Sequence, residues 1–260
     1  MTAAWDPDRY LAFAGERGRP FVDLVARIGA TGPRVVVDLG CGPGHLTALL
    51  ADRWPDADVT GVDSSADMVR AATAGPAAER VAFQQADLRD WVHAAAPGSV
   101  DVLVSNAALQ WVPEHLDLLP ALAATVAPDG WLAFQVPGNH VAPSHALLAE
   151  LAAEAPYAAH TAAAARVGAH DPADYLHVLL ALDCEVDVWE TTYLHVLHGE
   201  DPVFAWVSGT GARPILQSLP DELRPRFEED YKAHLRAAYP DHGDGVVLPF
   251  RRIFVVARVP

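Results

Sequence analysis

Cysteine is nearly missing from this chain, with only Cys41 and Cys184 among 260 residues. Two distant thiols make no disulfide framework and suit a reducing compartment. No run of 18 or more residues is continuously apolar, so no membrane span is expected. The first twenty residues are charged and lack an apolar core. A secretory leader is therefore not expected and a cytoplasmic setting is. Basic residues are scarce: 18 Lys and Arg face 34 Asp and Glu, a formal net charge of −16. So acidic a chain is not expected to hold nucleic acid by neutralising phosphates. A small anionic ligand would need a pocket in which arginine is concentrated locally. The 12 histidines show no ligand spacing such as His-x-x-x-His, and no His or Cys cluster surrounds Cys41. No metal site is expected. Neither an internal repeat nor a coiled-coil pattern is present.

What the chain does have is Val35-Val-Val-Asp38-Leu-Gly40-Cys41-Gly42-Pro-Gly44-His45. The β-branched run at 35–37 reads as a buried parallel strand. Leu46, Leu49, Leu50 and Trp54 follow at helical spacing. A strand turning sharply into a helix leaves backbone N–H groups free for a ligand, and glycine lets that ligand come close. The spacing narrows the ligand. A dinucleotide fingerprint would require a third glycine at 45, where His45 stands, and the Gly-Lys-Ser/Thr of a phosphate loop is absent. Asp38 at the strand end suits an ammonium group better than a pyrophosphate.

Three further strand ends carry polar groups. Residues 59–63 read as a second strand closing on Asp63, 23 residues past Gly40, where doubly wound folds place an acceptor for ribose hydroxyls. Ser64 and Ser65 then cap a helix, and Met68 opens its apolar face, as core or against an adenine ring. Residues 81–85 form a third strand before Asp87 and Leu88. Asp87 is placed either to receive an adenine amine or to cap a helix. Residues 100–104 form a fourth strand running into Ser105-Asn106. Ligands of open parallel sheets bind at that carboxyl edge.

A fifth strand at 131–136 follows a Pro128-Asp-Gly130 turn. Residues 138–183 are Ala-rich and helical and read as an insertion or cap within one domain spanning 1–260. A sixth strand at 184–197 alternates, a longer amphipathic helix covers 221–239, and a last strand covers 250–257. Near the start, residues up to 29 end in an amphipathic helix, and Trp5 and Tyr10 belong to core or to a lid. The pattern specifies an α/β, doubly wound, seven-stranded and mostly parallel Rossmann-like sheet with a helical cap insertion.

On these residues the chain resembles class I S-adenosylmethionine (AdoMet) methyltransferases, and within them the trans-aconitate methyltransferases, a family of carboxyl O-methyltransferases. The resemblance runs almost end to end. It includes Trp5-Asp-Pro, Val36-Val-Asp-Leu-Gly-Cys-Gly-Pro-Gly44, Gly61-Val-Asp-Ser-Ser65 and Ser105-Asn-Ala-Ala-Leu-Gln-Trp-Val-Pro113. Pro143-Ser-His145, Tyr193-Leu-His-Val-Leu197, Gly209-Thr210, Arg213-Pro214 and Pro249-Phe-Arg-Arg252 continue it. His45 departs from the family's smaller polar residue. It matters little, because a helix N-terminus binds through its backbone.

The resemblance implies AdoMet as cofactor and S-adenosylhomocysteine as product. Asp38, Gly40 and Gly42 would hold the methionine part with Cys41 beside them, and Asn106 or its backbone would touch its amino-acid moiety. Asp63 would serve the ribose and Asp87 with Leu88 the adenine, with Ser64 and Met68 as further candidates for the cofactor. A small tricarboxylate substrate would require forked cations and hydroxyl donors, for which Tyr10, Tyr193, His195, Arg213, Arg251 and Arg252 are candidates. No catalytic base is expected, since a carboxylate is already ionised at neutral pH. Two alternatives stand beside this reading: a natural-product O- or N-methyltransferase on the same fold, and a non-catalytic module that binds a nucleotide cofactor.

Overall fold

The computed structural model describes residues 14–164 and 168–260. These group into two compact units, one of residues 14–136, 170–190 and 253–260, the other of 137–164, 168–169 and 191–252. In chain order the elements are α1 (Ala14–Ala26), β1 (Val35–Leu39), α2 (Thr47–Arg53), β2 (Asp58–Asp63), α3 (Ala66–Ala74) and β3 (Val81–Gln85). Then come α4 (Leu88–Ala94), β4 (Val100–Asn106), α5 (His115–Thr125), β5 (Val126–Pro137), α6 (Pro143–Ala152) and α7 (Ala158–Thr161). The last are α8 (Pro172–Leu180), β6 (Glu185–Leu197), α9 (Pro202–Ser208), α10 (Arg213–Ser218), α11 (Arg224–Ala238) and β7 (Val246–Arg258).

The seven strands lie in the order β3-β2-β1-β4-β5-β7-β6. Pairing is parallel between β1 and β2, β2 and β3, β1 and β4, and β4 and β5. Strand order reverses between β1 and β4, and such a switch point is where doubly wound sheets bind ligands. The central strands are buried on both faces, as their valine-rich runs require: Val36, Val102 and Val104 are wholly enclosed. Polar ties set the strand ends. Asp101 accepts from the N–H groups of Arg34 and Val35, at 2.7 and 2.9 Å, and fixes where β1 begins. The Ser105 hydroxyl donates to the Leu39 carbonyl at 2.8 Å and joins the ends of β4 and β1.

One expectation changes. The turn expected at 128–130 lies inside β5. There Asp129 donates to the Val259 carbonyl, Val259 donates back to Gly130, and the register against β4 slips between Val100 and Val102. The helical stretch read at 138–183 falls in both units: residues 137–164 and 168–169 group with 191–252, and 170–190 group with 14–136 and 253–260. The division follows specific bonds. In the sheet unit Tyr175 of α8 is held by His115 of α5. Burial keeps that histidine neutral and pushes the tyrosine up to about 12, so the phenol O–H donates to Nε2 at 2.7 Å. The same oxygen accepts the His170 N–H at 3.0 Å. In the other unit, Tyr231 of α11 donates to the Ser144 carbonyl at 2.5 Å and Tyr239 accepts the Ser144 N–H at 3.0 Å, fastening α11 to α6. Among the described residues no helix is long and apolar enough to cross a membrane.

Candidate active site

β1 ends in Asp38-Leu39, and the glycine loop that follows is closed against β2. The N–H groups of Gly40 and Cys41 both donate to the Val62 carbonyl, at 2.7 and 3.1 Å. Gly40 has φ +81°, and a Cβ there would lie 2.2 Å from that of Ala108. Gly42 has φ +55°, yet a Cβ on it would meet nothing within 4 Å among the described residues. The first glycine is thus required by the protein's own packing. The second opens onto empty space beside the loop, a cradle that a side chain would fill.

Asp38 is 2% exposed, and its Oδ2 accepts the Thr47 hydroxyl at 2.7 Å. Burial pushes the carboxyl up to about 7, the Thr47 hydrogen bond pulls it down, and the nearby Asp63 charge raises it again. An ammonium group beside it would restore the ionised form. Thr47 was not singled out in the sequence, since a threonine opening a helix carries no signal of its target nine residues earlier.

Asp63 closes β2. Its Oδ2 accepts from Gly42 N–H at 2.9 Å and its Oδ1 from Ser65 N–H at 2.8 Å. Burial raises its pKa while these two bonds lower it. Ser64 is exposed, Cys41 is buried with its thiol pushed up by burial, and Met68 is 2% exposed on α3. Asp87 caps α4. Its carboxylate accepts the Arg89 N–H and pairs with the Arg89 guanidinium, which holds its pKa below the usual range. Asp87 thus caps the helix at the carboxyl edge of the sheet, with Leu88 half-buried as the next residue.

At the end of β4, Asn106 has a buried Oδ1 with no hydrogen-bond partner among the described residues. A lone buried acceptor is costly unless a ligand donor meets it. The next residue, Ala107, has φ +54°, strained for a residue with a side chain. It is clamped by its N–H to the Gln135 carbonyl at 2.8 Å and by Gln110 Nε2 to its own carbonyl at 2.6 Å. Gln110 Oε1 is also buried without a partner. Gln110 stands in the Ser105–Pro113 segment, where nothing in the sequence marks its side chain. Its side-chain direction depends on the strained turn, which the sequence does not reveal.

The substrate candidates that the structure describes lie in the other unit. Tyr193 and His195 alternate inward on β6, and His195 lies 4.7 Å from the Trp206 ring of α9, centroid to centroid. Trp206 meets Phe250 of β7 at 5.5 Å, and the Arg252 guanidinium sits 4.6 Å above the Phe250 ring. Arg213 opens α10, and burial pushes it down to about 10, still cationic at neutral pH. Among the described residues Arg213 and Arg252 are the buried arginines, 9% and 5% exposed. Arg251 is set apart from this group. Successive strand residues face opposite ways, and its guanidinium reaches the Gly138 carbonyl at 3.4 Å while its backbone pairs with Asn139. Tyr10 lies outside the described residues.

Residues 13–181 match a family model described as a methyltransferase domain. The chain is 50% identical to a trans-aconitate 2-methyltransferase of Streptomyces avermitilis, over 98% of this chain and 96% of that one. It is also 50% identical to a trans-aconitate 2-methyltransferase of Mycobacterium tuberculosis, over 98% and 97%. Among solved structures the YcgJ protein of Bacillus subtilis superposes with a TM-score of 0.61 at 14% identity, covering 93% of this chain and 98% of that one. A likeness at that identity concerns the fold.

Proposed function

The chain belongs to the methyltransferase-domain family, among the relatives of trans-aconitate 2-methyltransferase, and from that premise we propose that it esterifies one carboxylate of trans-aconitate, using AdoMet. The residues present fit this cofactor. The buried Oδ1 of Asn106 lacks a donor, and the open space at Gly42 leaves room for a ligand against the loop. When bound, AdoMet supplies a methyl group activated by a sulfonium. Asp38 and Asn106 would receive its ammonium group, Asp63 its ribose hydroxyls, and Asp87 with Leu88 its adenine.

The observation that carries the substrate reading is the burial of Arg213 and Arg252 in a chain of net charge −16. A guanidinium is a planar fork of donors whose geometry matches a carboxylate, and within a buried setting its charge acts at low dielectric. Such a pair would hold two carboxylates of a tricarboxylate, while Tyr193 and His195 supply polar contacts. The carboxylate to be methylated has a pKa of roughly 4 and is ionised at neutral pH. No residue has to remove a proton. The protein's work is then alignment for in-line transfer and exclusion of water. The free cysteines suit a cytoplasmic setting.

The test is incubation of purified protein with AdoMet and trans-aconitate, followed by mass spectrometry. The expected product is the monomethyl ester. Turnover of a phenol or an amine, with no ester from trans-aconitate, would refute the substrate and leave the fold untouched.

A further inference from the structure

One oxygen of Asp38 is taken and the other is open. Oδ2 accepts the Thr47 hydroxyl at 2.7 Å, with Thr47 fully enclosed, and Oδ1 accepts no hydrogen bond among the described residues. The two residues belong to different elements, β1 and α2, so the helix sets the hydroxyl and the hydroxyl sets the carboxyl's rotation. We propose that Thr47 is a positioning residue: by holding Oδ2 it presents Oδ1 of Asp38 to the ammonium group of the cofactor, whose binding expels any proton that this buried carboxyl carries. This rests on the cofactor reading above.

The step balances simply. The Asp38 O–H bond breaks, its proton goes to solvent, and the carboxylate left behind accepts a hydrogen bond from the ammonium. No other covalent bond changes. The titratable neighbours are few. Asp63, across from β1 at the end of β2, raises Asp38, and burial does so more strongly, leaving the carboxyl near neutrality despite Thr47. The Cys41 thiol is pushed far up by burial and by both carboxylates, so it stays protonated. His45, later in the same loop, is lowered by burial and is neutral at pH 7. Asp63 is itself raised by burial, with the Ser65 and Gly42 N–H groups pulling it down; Asp38 has a hydroxyl as its one hydrogen-bond donor among the described residues and is pushed up to about 7.

A buried carboxyl could equally hold Thr47 for packing alone, and proton release separates the two roles. S-adenosylhomocysteine carries the same ammonium and does not react. Its binding is measured by titration calorimetry in two buffers of different ionisation enthalpy, at about pH 6 and about pH 8. Wild type is expected to release close to one proton at the lower pH and almost none at the higher. Its affinity should rise about tenfold per pH unit up to roughly 7. Thr47→Val removes the hydrogen bond that lowers Asp38. It should therefore weaken binding about tenfold at neutral pH and extend proton release to about pH 8. Thr47→Ser should restore both.

Unchanged affinity and release in a folded Thr47→Val protein would overturn the inference, as would an equal loss at both pH values with release unaltered. So would wild type that binds without releasing a proton at the lower pH, a result that needs no variant. Wild type that does not bind S-adenosylhomocysteine overturns the cofactor reading and this inference with it.

Discussion

The backbone N–H of Gly42 donates to Oδ2 of Asp63 at 2.9 Å, tying the glycine loop to the end of β2. The loop's shape is thus not a property of its glycines alone. It hangs on an acid 21 residues further along, which also accepts from Ser65 at the start of α3. A residue assigned to the ribose is at the same time the clamp of the loop assigned to the methionine part.

Asp63→Ala should therefore do two things. It leaves the Gly42 and Ser65 N–H groups without their acceptor, at a cost of about 1–3 kcal/mol of stability. It should also weaken S-adenosylhomocysteine binding by roughly a hundredfold, since charge-assisted hydrogen bonds to the ribose are lost along with loop order. Urea unfolding and calorimetry read the two effects separately. Unchanged affinity would show the ribose role to be misplaced.

Gly40 and Gly42 should respond differently to the same substitution. Gly40→Ala meets both a positive φ and the Ala108 Cβ at 2.2 Å, so it should unfold more easily by well over the ~1–2 kcal/mol of the backbone alone. Gly42→Ala has space for its methyl and should cost only that backbone amount, yet cofactor binding should fall steeply because the methyl occupies the open space. Thermal melts with and without S-adenosylhomocysteine distinguish them. A Gly42→Ala protein with full ligand-induced stabilisation would count against the cradle.

Much of this arrangement is legible in the chain because it is local. Val35–Leu39 and Val100–Asn106 announce themselves by β-branched runs, and Asp38, Asp63 and Asp87 stand at strand ends that such runs define. Arg251 and Arg252 could have been separated as well, since neighbouring strand residues cannot share a face. What the sequence hides is contact between distant segments. Nothing near Thr47 points to Asp38, and nothing near Ser144 points to Tyr231 and Tyr239, 87 and 95 residues away. The grouping of 137–164 with 191–252 is accompanied by bonds of that kind.

Arg213 and Arg252 should be needed for the acceptor and dispensable for the cofactor. Arg252→Leu or Arg213→Leu should lower kcat/KM for trans-aconitate by roughly a hundredfold, the loss for truncating one partner of a buried charge pair. Affinity for S-adenosylhomocysteine should remain within a few-fold of wild type. Arg236 gives the control. It is exposed and already paired with Asp201 and Glu229, so Arg236→Ala should leave turnover unchanged. If the three variants behave alike, the buried arginines are not the carboxylate clamp.

Asp38→Asn should make the free protein more stable and the bound protein less so. A carboxyl held at about 7 in the folded chain, against 3.8 for the unfolded reference, keeps its proton on folding at pH values where the unfolded chain has lost it. Its contribution is fully present below pH 3.8 and is lost as pH rises through 7, at about 1.4 kcal/mol per tenfold in the protonation equilibrium. Above that range wild type must carry a buried negative charge, and asparagine does not. The variant's gain in Tm should grow from about pH 4 to about pH 7 and then level off, reduced by whatever the Thr47 hydrogen bond loses. Saturating S-adenosylhomocysteine should reverse the order, because the ammonium needs the charge that the free protein bears at a cost. A variant no more stable at about pH 8 than at about pH 4 would show that the buried carboxyl imposes no such penalty. A residue that weakens the empty protein and strengthens the occupied one is expected where binding, rather than folding, has set the choice of side chain.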